Sequence, residues 1–412
     1  MRSARWLVGS MLVVLLSALV PPALSVGAEP VPVRDRGAFT PADGVLFSNP
    51  GSRDPRQILT HVIKTVRSTP RGEMIRIAVW NFDDRPTADA LVQAFRRGVT
   101  VQLVVAGSVD SASFRTVAAE LNQKKRDVSF AIKCKGACRS SRKVMHSKIF
   151  LFSKTGRATH VSMFGSSNLT TPAANRQWND LVTVSAEPLY DFFVQTFIEY
   201  ALDTPVARPY VREDIGRYRV YLYPSGPERS PIFDELGLVE CSGASGQPGG
   251  RTTVRIAVAG WFDAYGEKIA RRVRALWDQG CDVKIITTLA GRGVNRTLRS
   301  TRGRGPVPIR QLEVDNDGDG IAERYLHMKA IAITGVFDGD RRAKVVLTGS
   351  PNWSTTASTS DEILVRMTKT GGLAATYQRW IDSLYASPSA HLRVSPARPV
   401  HASRGADPKL SP

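Results

Sequence analysis

The sequence predicts an α/β protein built as two pseudo-symmetric lobes, each with a mostly parallel mixed sheet flanked by helices. Strand-like segments alternate with amphipathic helices, the rhythm of a sheet covered on both faces. The rhythm also occurs twice. Arg76-Ile77-Ala78-Val79 returns as Arg255-Ile256-Ala257-Val258, His146 as His327, and Gly165-Ser166 as Gly349-Ser350, at offsets of 179, 181 and 184 residues. An ordered series at nearly constant offset is the mark of an internal duplication.

The elements of the first half follow in order. Val45 to Phe47 reads as a short strand. Asp54-Pro55 opens a helix with Ile58, Leu59, Val62, Ile63 and Val66 on one face, Asp54 serving as N-cap. Met74 to Trp80 alternates as a strand, Thr87 to Arg97 is helical and Gly98 stops it, and Val99 to Val105 reads as a buried strand before a helix over Ala112 to Leu121. In the second half, Val220 to Tyr223, the helix Ile269 to Gln279 and the strand Cys281 to Thr287 repeat the plan. An aromatic helix closes each half, around Tyr190 to Tyr200 and Tyr377 to Tyr385. The lobes are placed at 29–202 and 217–387, with a linker over 203–216 and a polar, Pro- and Arg-bearing tail over 388–412.

Arg2 and Arg5, an apolar core from Trp6 to Val20 and small residues at Val26-Gly27-Ala28 have the three-part layout of a secretory signal over 1–28. The protein is therefore expected to be secreted. Its formal net charge is +19, from 56 Lys and Arg against 37 Asp and Glu, and the leader accounts for only two of the basic residues. That balance points to an anionic partner: a phospholipid or anionic membrane surface, or nucleic acid. Four cysteines in an exported chain are most simply two disulfides, with a metal site as the rival, and Cys134, Cys138, Cys241 and Cys281 permit three pairings. Cys134 with Cys138 would close a tight loop upstream of His146.

The chemistry concentrates in two matched sets. His146-Ser147-Lys148 and His327-Met328-Lys329 each open an apolar strand, and in a period-2 strand residues i and i+2 share a face. An imidazole thus stands beside an ammonium twice. Downstream come Gly165-Ser166-Ser167-Asn168 and Gly349-Ser350-Pro351-Asn352, then an acidic residue, Asp180 in one half and Glu362 in the other, with Asp361 the less favoured neighbour. A carboxylate on one ring nitrogen leaves the other nitrogen as nucleophile or base, two Lys and two Asn can neutralise phosphate oxygens, and a second His can protonate the leaving alcohol. Neither half holds both a nucleophile and an acid, so the site is expected at the seam between halves.

These motifs resemble those of the phospholipase D superfamily over roughly residues 45 to 385. The resemblance implies a two-lobed α/β fold, a covalent phosphohistidine intermediate and no catalytic metal or required cofactor. On that pattern His146 and His327 are the catalytic pair, Lys148, Lys329, Asn168 and Asn352 hold phosphate, and Asp180 and Glu362 orient the imidazoles. The sequence departs from the family where an Asp is expected seven residues after each His: Ser153 and Thr334 stand there.

Ser166, Ser350, Trp80 and Trp261 are expected to bind substrate, the tryptophans because they follow the ends of matched strands. Asp315, Asp317, Asp319 and Glu323 resemble the start of a calcium loop, but Leu326 at the twelfth position rules out an EF-hand; a structural calcium there competes with a plain solvated acidic turn. The expected reaction is hydrolysis, or transfer, of phospholipid headgroups, by a monomer that carries both halves of the site. A secreted nuclease and an inactive phosphate-binding homologue are the alternatives.

Overall fold

The computed structural model describes residues 38–123, 128–141, 143–319 and 322–391. The expected leader at 1–28 and most of the expected tail at 388–412 lie outside the described residues. Among the described residues no helix is long and apolar enough to cross a membrane.

The N-terminal sheet has seven strands in the spatial order Gly44–Phe47, Asp180–Ser185, Ala158–Gly165, Lys148–Thr155, Met74–Val79, Thr100–Val105 and Phe130–Lys133. The C-terminal lobe repeats the arrangement around Thr253–Trp261, Asp282–Ala290, Ile309–Val314, Lys329–Phe337, Asp340–Gly349 and Ile363–Met367. The α/β class and the duplication are as the sequence predicts, but the sheets are less parallel. Met74–Val79, Thr100–Val105 and Phe130–Lys133 run parallel, while every pairing on the other side is antiparallel. The cause is local: each His-x-Lys strand returns through a two-residue turn, Gly156-Arg157 or Asp338-Gly339, and so tight a connection joins only antiparallel strands.

Helix positions follow the apolar stripes, with two corrections. The first helix spans Gln57–Arg67, and its N-cap position is Arg56 and not Asp54. The 203–216 stretch is not a bare linker, because Val211–Ile215 pairs with Tyr218–Leu222 as a hairpin.

Each sheet has two buried faces. The outer ones pack against Gln57–Arg67, Arg85–Arg96 and Ala112–Leu121 in the first lobe, and against Pro231–Leu236 and Asp263–Asp278 in the second. The inner faces share one core into which the aromatic helices Glu187–Leu202 and Leu373–Ala386 insert Phe193, Phe197, Tyr200, Tyr377 and Ile381. Phe47 of the first lobe stacks on Trp380 of the second, at 4.9 Å between ring centroids. This common apolar core fixes the two lobes relative to each other.

Candidate active site at the seam between the lobes

The two halves exchange short backbone contacts where their histidines emerge. The His146 amide donates to the Asp361 carbonyl at 2.8 Å, and the His327 amide to the Trp178 carbonyl at 2.9 Å. Each histidine is thereby anchored to the residue just before a polar side chain of the opposite lobe.

That side chain is Glu362 for His146: Nδ1 lies 2.9 Å from both carboxylate oxygens. For His327 it is Asn179, whose Oδ1 lies 2.8 Å from Nδ1. Asp180, the residue expected to orient an imidazole, is one position further and does something else. Adjacent residues of an extended strand face opposite ways, and the fully buried Asp180 carboxylate accepts from Ser166 Oγ at 2.7 Å, Tyr377 Oη at 2.6 Å and Thr348 Oγ1. It is a structural tie between lobes. A shared pattern reveals the shift: aligning Leu181-Val182 with Leu364-Val365 matches Asn179, not Asp180, to Glu362. The backbone agrees, since Ser166 N donates to Asp180 O as Ser350 N donates to Ile363 O.

The lysines are placed symmetrically. Lys148 Nζ donates to His146 O at 2.5 Å and Lys329 Nζ to His327 O at 2.7 Å, and both side chains are buried. Both ammonium groups act on both imidazoles, and the Ser166 backbone of the first lobe acts on His327 of the second, which brings the two motifs into one electrostatic cluster. Asn168 is fully buried, and neither atom of its amide has a hydrogen-bond partner among the described residues; Asn352 Oδ1 is likewise unpaired. Buried amides normally find partners, so the unpaired Nδ2 of Asn168 is suited to donate to an oxygen of a bound anion.

Burial lowers His146 to about 4, Lys148 and Lys329 adding to the effect against the pull of Glu362. His327 is lowered well below its usual range, again first by burial and then by Lys329, Lys148 and His146. Burial works to raise Glu362, but His146, Lys148 and Ser350 outweigh it and hold the carboxyl below its usual range. Neutral imidazole against an ionised, acceptor-only carboxylate places the His146 proton on Nδ1. Nε2 then carries the lone pair.

The motif glycines are steric necessities. A Cβ on Gly165 would sit 2.4 Å from Asp180 O, and one on Gly349 2.1 Å from Ile363 O. Only glycine lets the loop strand lie that close to its neighbour. Ser166 and Ser350, expected to touch substrate, are instead fully buried braces. Ser166 Oγ donates to Asp180 Oδ1, accepts from Asp180 N and lies 3.0 Å from Asn179 Oδ1, while Ser350 Oγ accepts from Ile363 N at 3.0 Å.

The tryptophans part ways. Trp80 lies edge-on to His146 at 4.9 Å, with Lys148 Nζ 5.4 Å from its ring. Trp261 is wholly buried against Trp353, its Nε1 donating to Gly266 O at 2.6 Å, so it belongs to the core and not to a substrate rim. Their backbones explain why: Trp80 N bonds Ser147 O as Ala259 N bonds Met328 O, so Ala259 is the counterpart of Trp80. Phe82 bridges Leu169 as Trp261 bridges Trp353.

Ser153 lies away from the site, accepting from Met74 N at the start of its neighbour strand, and Thr334 pairs with Thr253 at the corresponding place. The departure from the family pattern therefore leaves the histidine cluster untouched. Both disulfides form, Cys134–Cys138 and Cys241–Cys281. The ligand oxygens of Asp315, Asp317, Asp319 and Glu323 gather within 4.8 Å on an exposed loop. Asn316 N donates to Glu323 Oε2 at 2.6 Å and Gly318 N to Asp315 Oδ1 at 2.7 Å.

These observations define a duplicated α/β protein in which each half gives one His and one Lys to a single cross-lobe cluster. The chain belongs to the phospholipase D superfamily, whose members are phosphodiesterases and transferases: the family described as "Cardiolipin synthase, PLD-like domain" matches residues 63–200 and 250–385. Among solved structures it is similar to phosphatidylserine synthase of Haemophilus influenzae Rd KW20, at 11% identity and TM-score 0.57, over 84% of this chain and 86% of that one. It is also similar to polyphosphate kinase from Porphyromonas gingivalis, at 13% identity and TM-score 0.53 over 85% of this chain, of which it spans only 52%. At such identities the likeness is one of fold. No curated protein sequence matches the chain significantly.

Proposed function

We propose that the protein is a phosphodiesterase that works through a phosphohistidine at the seam, with His146 as nucleophile and His327 as acid. The observation that carries this reading is the unequal backing of two otherwise matched imidazoles: a carboxylate behind His146 and a neutral amide behind His327. An anion on Nδ1 stabilises the positive charge that develops when Nε2 attacks phosphorus. An amide accepts the same N–H without that charge, so His327, once protonated, gives up its proton more readily.

In the first step His146 Nε2 bonds to phosphorus, the bond to the leaving oxygen breaks, and that oxygen takes the proton of His327 Nε2. In the second, neutral His327 removes a proton from water or an acceptor alcohol, whose oxygen attacks phosphorus and displaces His146. Lys148, Lys329, Asn168 and Asn352 would hold the phosphoryl oxygens, and an anionic diester among them offsets the lysine charges that depress both imidazoles. Trp80, against His146, would border the reacting group. The scheme calls for no metal, so EDTA should leave turnover intact.

We take phospholipid headgroups as the substrate, hydrolysed or exchanged, in a secreted monomer. The name of the matched family, which refers to a lipid synthase, and the duplication in one chain support this. A specific observation favours nucleic acid as the second reading. Residues 291–310 carry six Arg and no acid, and Arg292 and Arg296 are exposed directly after a strand whose end packs on Phe262. The acidic loop at 315–323 follows the next strand, which limits the reach of that positive field. Incubating the purified chain with phosphatidylcholine vesicles, phosphatidylglycerol vesicles, and single- and double-stranded DNA, with and without EDTA, separates the readings. Headgroup release without DNA scission is expected; DNA cleavage alone would reverse the assignment, and no turnover of any diester would leave the inactive homologue.

A further inference from the structure

Among the described residues, one element beside the site has no counterpart in the other half. The loop closed by Cys134–Cys138 leans across the seam onto Asp361: Arg139 N donates to Asp361 Oδ2 at 2.7 Å, and the Cys138 amide and Ser140 hydroxyl act on the same carboxylate. Behind it the loop is fastened to its own lobe. The buried Arg139 guanidinium pairs with Glu199 at 2.5 Å, donates to Pro209 O at 3.0 Å and lies 6.0 Å from the Tyr200 ring centroid, while Lys135 N donates to Asp203.

Asp361 in turn is wired to the nucleophile's side of the site. Its carbonyl accepts from His146 N at 2.8 Å and Ser147 Oγ at 3.2 Å, its amide donates to Val144 O at 3.0 Å, and its neighbour in sequence is Glu362. The equivalent position in the other half is Trp178, whose indole N–H donates to Asn49 Oδ1. Among the described residues, this support is seen only for the carboxylate-backed histidine.

We propose that Asp361 is a positioning residue for His146. Gripped by the disulfide-closed loop, it fixes the backbone that presents Glu362 to Nδ1, so the Cys134–Cys138 bond serves catalysis more than global stability. The two disulfides make that contrast testable. Cys134 and Cys138 are four residues apart and Cys241 and Cys281 forty, so the longer closure removes more freedom from the unfolded chain.

This proposal rests on the reading of His146 as nucleophile. The full chain is prepared as wild type, D361A, D361N, C134S/C138S and C241S/C281S, and assayed on bis(p-nitrophenyl) phosphate across pH, with thermal unfolding in parallel. D361A and C134S/C138S are expected to lower kcat by about 10- to 100-fold with KM within about threefold, and to shift the pH limb reporting the His146 imidazole, which faces Glu362, Lys148, Lys329 and Trp80. D361N, which keeps one carbonyl acceptor, should fall between. C241S/C281S should lose more Tm yet keep kcat. Wild-type kcat and an unmoved pH limb in folded D361A and C134S/C138S would overturn the proposal, as would equal losses of kcat and Tm in both cysteine variants. A nitrogen-15 NMR titration of His146 keeps the test independent of turnover. If the wild type proves inactive on every diester, the function reading fails, while a changed His146 tautomer or titration in D361A still supports the positioning role and an unchanged one refutes it.

Discussion

His327 Nδ1 meets the amide oxygen of Asn179 at 2.8 Å where its twin, His146, meets the carboxylate of Glu362 at 2.9 Å. The duplication is thus broken at one atom of each pair, and on the proposed mechanism that break separates a nucleophile from an acid. Replacing each backing group in turn should show the difference. E362Q is expected to slow turnover by about 100-fold or more, because the developing imidazolium loses its anion. N179A should cost about tenfold. N179D should raise the pH at which the acid limb falls, since a carboxylate there holds the His327 proton; an unchanged limb would contradict the assignment.

Asp180 is predicted to matter for stability. D180A strands the buried hydroxyls of Tyr377, Thr348 and Ser166 and should cost roughly 3–5 kcal/mol of folding free energy. W261A, emptying a fully buried site, should cost about 3–5 kcal/mol. Urea titrations measure both. In the fraction that remains folded, neither variant should move the pH limbs of kcat, whereas W80A should change kcat with little loss of stability.

Acid should weaken the fold in a defined window. Burial holds His61 and His146 at about 4 and His327 well below the usual 6.5, so on acidification the unfolded chain takes up their protons first. Their stability contribution is complete above pH 6.5 and is lost as the pH falls towards 4, at about 1.4 kcal/mol per pH unit for each proton. Asp361 opposes this. Burial raises it to about 6 from 3.8, so between pH 6 and 4 the folded state keeps a proton the unfolded chain has released. Three histidines outweigh one aspartate, and urea unfolding should show lower stability at pH 4.5 than at pH 7. H61N should flatten the slope and D361N should steepen it; a flat profile in the wild type would contradict the buried neutral imidazoles.

Much of this was legible in the sequence, and for identifiable reasons. The His-x-Lys and Gly-Ser-x-Asn motifs are local, so two in-strand residues or a glycine against a neighbouring carbonyl fix their geometry without tertiary knowledge. The register beyond them was not. The first half has one residue more than the second between its Asn and its orienting side chain, and reading for an acid landed on Asp180. An amide in the orienting place carries no charge signature. Trp80 and Trp261 misled in the same way, since similar strand ends two residues out of register put one ring beside His146 and the other in the core. Asp361 was the less favoured neighbour because a loop 222 residues away gives it its role.

A phosphoryl group carried by His146 should be trapped by rapid acid-free quenching of H327A during turnover of bis(p-nitrophenyl) phosphate, followed by peptide mass spectrometry. Its p-nitrophenolate leaving group departs without protonation, and the variant lacks the base for the second step, so the intermediate should accumulate. A phosphoryl adduct is expected on His146 in H327A and none in H146A. An adduct on another residue, or turnover by H146A near the wild-type rate, would contradict it.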